Sequence, residues 1–94
     1  MKYKLNENVY LYDGYDGLKY LVDLDTNDSY QLNQTSYYIC SLIEKEGMDL
    51  DSIINKLLLK LLHPVEKKML QCDLECFVNE MKEKKYFIME YQYE

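Results

Sequence analysis

Three cysteines and one histidine are the side chains of this chain best suited to nucleophilic or metal chemistry. Cys72 and Cys76 stand about one helical turn apart, so both sulfurs could meet a single ion. A structural zinc site normally takes four ligands, commonly in closely spaced pairs. Cys40 falls on a different predicted helix, and His63 stands nine residues before Cys72 with no third group to orient it as a base. Free cysteine commonly behaves as a small buried hydrophobe. Gly14 and Gly17 sit in acidic turns, where a phosphate would be repelled. The sequence therefore predicts no catalytic residue, no metal and no cofactor, and the chain reads as a binding protein rather than an enzyme.

Charge and composition narrow what it binds. A formal net charge of −6 argues against nucleic acid, because phosphate binding needs a basic face. Eleven tyrosines could stack on bases, but they lack interleaved Lys or Arg, so packing and peptide contact explain them better. The longest apolar stretch, Leu57 to Leu62, is broken by Lys60 and is too short for a membrane span. The odd cysteine count and the absence of an apolar signal segment point to reduced thiols in the cytoplasm. Lys82, Lys84 and Lys85, with Glu83 among them, read as a solvated helix end. Ninety-four residues suffice for one domain spanning 1–94.

The elements that must position these residues are predicted from hydrophobic period. Val9 to Tyr12, Leu18 to Leu24 and Ser29 to Leu32 read as strands of an antiparallel meander, with Asp-Gly and Thr-Asn-Asp turns between them. In the middle run Leu18, Tyr20, Val22 and Leu24 point one way, and Lys19, Leu21 and Asp23 the other. Asn33 caps a helix from about Gln34 to Glu46 that Gly47 ends. Asp49 or Asp51 caps a second helix with the stripe Leu50, Ile53, Ile54, Leu57, Leu58 and Leu61. Leu59 and Leu62 lie off that stripe, which predicts a helix apolar around much of its circumference and well buried. Pro64 opens a third helix that runs to about Lys85. The tail from Phe87 to Glu94 alternates again, and fits either a further strand or a disordered end.

The third helix carries two apolar faces. Leu70, Leu74, Phe77, Val78 and Met81 gather within about a quarter of its circumference, and Val65, Met69, Cys72 and Cys76 gather nearly opposite. One face packs on the other helices. The second is covered by the sheet, or by a second copy in a homodimer, or it lines a groove beside the sheet edge. An extended peptide could pair its backbone with such an edge and drop side chains onto the helix.

Gln31-Leu32-Asn33-Gln34-Thr35-Ser36, followed by Ile39 and Leu42-Ile43, resembles the strand-to-helix junction of PqqD-like proteins. Leu50, Ile53 and Leu57 are similar to that family's second helix, and Asp73-Leu74-Glu75-Cys76-Phe77-Val78 with Met81 to its third. The order and spacing agree over roughly residues 5 to 88. Lys85 departs from the pattern, standing where the family commonly has a glycine before its last apolar pair. The Tyr-rich tail extends past the usual end.

The resemblance implies an α+β, winged helix-turn-helix-like fold, a three-stranded antiparallel sheet followed by three helices. It implies a RiPP recognition element, a module that binds the leader of a ribosomally made, post-translationally modified peptide. On this sequence the pairing edge would be Ser29, Tyr30, Gln31 and Leu32. The helix wall would be Lys68, Met69, Cys72, Glu75, Cys76 and Asn79. The implied partners are a precursor leader peptide and either a radical SAM maturase or a lasso-type leader peptidase; these residues do not choose between them. The alternative for such a fold is a DNA-binding regulator. Against it, Lys67 and Lys68 are the only cations in the first half of the third helix, facing Glu66, Asp73 and Glu75.

Overall fold

The computed structural model describes residues 2–60 and 67–90. Eight elements follow one another: β1 (Lys2–Leu5), β2 (Val9–Asp13), β3 (Lys19–Asp23), β4 (Ser29–Leu32), α1 (Gln34–Glu46), α2 (Leu50–Lys60), α3 (Lys67–Glu83) and β5 (Phe87–Glu90). The fold is α+β. Strands β2, β3 and β4 form the expected antiparallel meander, so β4 is an edge strand. A second sheet, absent from the sequence expectation, pairs β1 with β5 antiparallel, Lys2 opposite Glu90 and Leu5 opposite Phe87. The tail from Phe87 to Glu90 is thus a strand; the remainder of the tail lies outside the described residues. β1 escaped sequence reading because Lys-Tyr-Lys-Leu is short and half charged. Its alternation matches that of β5, where Tyr3 faces Met89 and Leu5 faces Phe87.

Local chemistry explains the helix ends. The Asn33 side chain accepts from the Ser36 N–H at 2.8 Å and caps α1, while Gly47 ends it with φ of 70° and donates its N–H to the Ile43 carbonyl. Of the two candidate caps for α2 it is Asp49 that serves, accepting from the Ser52 N–H at 2.7 Å. Those hydrogen bonds hold its carboxyl below the usual Asp range. The exit of α3 is built on Lys85, whose φ of 67° is left-handed. Tyr86 N–H reaches back to the Met81 carbonyl and Lys85 N–H to that of Lys82, the paired bonds of a Schellman ending. A glycine would sit there without strain.

The core lies between the inner face of the meander, the three helices and the β1–β5 ladder. It holds Leu21, Leu32, Ile39, Cys40, Ile43, Ile53, Ile54, Leu57, Leu74, Val78, Met81 and Phe87. Each such aliphatic side chain contributes about 1.5–3 kcal/mol by leaving water. The Phe77 and Phe87 rings meet edge to face at 5.8 Å, fastening α3 to β5. A backbone bridge between Tyr3 and Met48, with N–H···O distances of 2.8 and 3.1 Å, fastens β1 to the turn before α2. The expectation for α2 is corrected on its outer side: Leu59 is 84% exposed and Leu58 only half-buried. The helix packs on one side alone, so an apolar residue off the stripe goes to solvent. Leu61, Leu62, His63, Pro64 and Val65 lie outside the described residues.

Candidate functional site

Strand β4 offers a free edge whose polarity follows from its register. Its residues pair with β3 as Lys19 with Leu32, Tyr20 with Gln31, Leu21 with Tyr30 and Val22 with Ser29. The Asp23 N–H bonds the Asp28 carbonyl at 2.8 Å, which fixes the phase of the ladder. Hydrogen-bonded and non-hydrogen-bonded pairs alternate in an antiparallel ladder. Residues 28, 30 and 32 therefore turn their backbone groups to β3, and Ser29 and Gln31 turn theirs away from it. Among the described residues no strand pairs with that outer side.

The turn that delivers β4 is held by Asp23. Its buried carboxylate accepts from Asn8 Nδ2 at 2.8 Å, from the Asp25 N–H at 2.9 Å and from the Thr26 N–H at 3.3 Å. A carboxylate with three donors around it is a firm pivot for a tight turn. The four expected edge residues then divide by role. Leu32 is buried and Tyr30 half-buried, so their side chains anchor the strand. Ser29 and Gln31 are exposed and present the backbone.

Tyr30 sets the distance between the edge and α3. Its hydroxyl lies 3.5 Å from Glu80 Oε2, at the long limit of a hydrogen bond, and Lys84 Nζ sits 4.9 Å above its ring. Its ring centroid is 6.3 Å from that of Tyr86. Lys84 also lies 3.6 Å from Glu80. Sequence reasoning missed Glu80 and took Lys84 for a solvated helix end. Their signal was the four-residue spacing, because Lys68, Cys72, Cys76, Glu80 and Lys84 form one ridge of the helix surface.

Among the described residues the second apolar stripe of α3 is uncovered from Met69 to Cys76. Met69 is 61% exposed, and Cys72 and Cys76 are exposed as well. Among the described residues neither sheet lies over them, and β5 is engaged with β1. Lys68, Cys72 and Cys76 therefore extend the line that Glu80 and Lys84 bring to Tyr30, with Met69 beside it. Asn79 is exposed on the neighbouring ridge, which it shares with half-buried Glu75. Gln71 Nε2 donates to Glu75 Oε1 at 3.3 Å. Burial, and then the charge of Glu75, push the Tyr3 phenol up.

Among the described residues the seam between β4 and α3 presents outward backbone groups on one side and apolar and thiol side chains on the other. Cys40 is fully buried and its thiol is pushed up to about 12, by burial first and then by Glu44. A thiol so unwilling to ionise is a poor nucleophile and a poor ligand. Among the described residues no cluster of three His, Cys, Asp or Glu side chains could hold a metal ion. No described helix is long and apolar enough to cross a membrane.

Among solved structures, "Lasso peptide synthetase B1 complexed with the leader peptide" superposes with a TM-score of 0.78 at 18% identity, covering 95% of this chain and 100% of that one. "TbiB1 in Complex with the TbiA(beta) Leader Peptide" gives 0.77 at 20%, covering 95% and 99%. These likenesses establish a shared fold. No curated protein matches significantly. A scan of protein families matches residues 19–86, from the first residue of β3 to the one before β5, to Coenzyme PQQ synthesis protein D (PqqD). The chain belongs to the PqqD family.

Proposed function

We propose that this chain is a RiPP recognition element. It captures the leader of a ribosomal precursor peptide as an added strand on β4 and presents it to a modifying enzyme or leader peptidase. The observation that carries the reading is the outward backbone of Ser29 and Gln31 beside an uncovered helix wall. Strand addition supplies register through main-chain hydrogen bonds, and alternate side chains supply specificity. Few such bonds fit on a strand of four residues, each contributing about 1 kcal/mol net. The apolar and thiol side chains of Met69, Cys72 and Cys76 supply the remaining affinity by burial. The two superposed structures, each described as bound to a leader peptide, support the reading by their fold and by their own ligands. The module is not itself an enzyme, and its three free thiols suit the reducing cytoplasm.

Gln31→Pro tests it. The substitution removes an N–H directed at the incoming strand and spares the β3–β4 ladder. Leader affinity, read by fluorescence anisotropy, should fall about tenfold, equivalent to about 1.4 kcal/mol. The circular dichroism spectrum should be retained. Undiminished affinity in the folded variant would place the leader on another edge or in another register.

A further inference from the structure

Among the described residues nothing packs over the face of the meander turned away from the helices, and its β2 and β3 positions are tyrosine and aliphatic. Strand alternation puts Tyr10 and Tyr12 of β2, Tyr20 and Val22 of β3, and Leu24 just beyond it on that side. Tyr10 is 56% exposed, Tyr12 42% and Leu24 62%. The Tyr12 and Tyr20 rings lie 6.5 Å apart, a paired aromatic platform. No lysine occupies an outward position of β2, β3 or β4. The turns at one end of the face carry Glu7 and Asp25, and the turn at the other carries Asp16. Exposed tyrosine is the residue type enriched where proteins meet other macromolecules, so this face is a candidate contact surface.

Resting on the recognition reading above, we infer that this face docks the enzyme that acts on the captured peptide. The matching enzyme surface is apolar at its centre and basic around it. Charge argues against the other occupants. A second copy would bring like-charged turns together, and anionic lipid would be repelled by the same carboxylates. Area argues against a homodimer as well. Three strands spaced about 4.8 Å apart give a projected footprint of about 250 Å², against about 800 Å² a side in a stable pair. The enzyme needs less, because it also grips the remainder of the precursor. The peptide tethers the two proteins, and a weak face then works at high effective concentration.

The face is also continuous with the leader seam. A strand added to β4 continues the sheet, and every second side chain of that strand lies beside Ser29 and Gln31 on the outer side. The enzyme thus reads a composite of Tyr10, Tyr12 and Leu24 with outward residues of the leader. It binds the loaded module more tightly than the empty one, and by linkage it tightens the leader by the same factor.

The test uses the precursor and the modifying enzyme of the gene cluster that encodes this chain. Leader affinity is read by anisotropy, and enzyme affinity by interferometry with and without leader. Tyr10→Ser with Leu24→Ser removes the apolar centre. Glu7→Lys with Asp25→Lys reverses the rim in exposed turns, and decides the matter should the first pair fail to fold. Both variants should hold leader affinity within about twofold and lose enzyme affinity by at least roughly tenfold. Folded variants that bind enzyme as wild type does overturn the docking face and leave the recognition reading intact. Loss of leader binding in the folded variants assigns the face to the leader and overturns the inference too. Failure of the wild-type chain to bind leader defeats the recognition reading itself, and the inference with it.

Discussion

Lys85 holds a backbone conformation that a side chain makes costly. A non-glycine residue in the left-handed region pays roughly 1–2 kcal/mol, partly offset because glycine loses more freedom on folding. At φ of 67°, with the Tyr86 and Lys85 N–H groups already committed to the Schellman bonds, the site asks for glycine. Lys85→Gly should therefore raise stability by up to about 1 kcal/mol, seen as a rise of a few degrees in the thermal midpoint. Leader affinity should stay level, since it is the ammonium group of Lys84, not Lys85, that lies over Tyr30. A lower midpoint would mean that Lys85 makes a compensating contact through its own side chain. Asp23 is the opposite case, a residue whose side chain cannot be spared. Its carboxylate occupies a buried core-side position because three turn donors converge there, not because the strand pattern wants an acid inward.

At the level of elements, α3 is where sequence and structure inform each other most. Its core stripe of Leu70, Leu74, Phe77, Val78 and Met81 was legible from the 3.6 period; Leu74, Val78 and Met81 are buried, and Leu70 and Phe77 half-buried at its margins. The same period found the opposite stripe and could not say what covers it, because coverage depends on where the sheet sits. The structure leaves Cys72 exposed beside the ridge that meets Tyr30. Cys72→Glu should thus leave the unfolding midpoint nearly unmoved, within about 0.5 kcal/mol as for an exposed site. Leader affinity should drop about tenfold, because a charge is placed against a docked strand. Equal affinity would move the leader away from this wall. The three meander strands and the caps at Asn33 and Gly47 were legible from turn chemistry. β1 was not, because its four residues make a strand only opposite β5, and that pairing spans nearly the whole chain. The outward direction of Ser29 and Gln31 was likewise out of reach, since it depends on ladder phase. The exposure of Leu59 shows the limit of counting leucines: burial is assigned by neighbours, and among the described residues α2 has none on that side.

For the molecule as a whole, a net charge of −6 sets a field around the seam that favours a leader with basic residues. Its affinity should fall several-fold from low to high salt, since screening weakens exposed charge pairs. A titration of leader binding against ionic strength checks this, and a flat curve would leave the attraction to apolar contact and backbone pairing alone. The −6 also bears on the docking face, where screening should loosen a basic enzyme surface in parallel. The β1–β5 ladder has its own effect at this scale. With Lys2 opposite Glu90, the chain closes almost into a ring. Backbone entering β1 at Lys2 and backbone leaving β5 at Glu90 pass through a single corner, so a spectroscopic label on either residue would report from one spot.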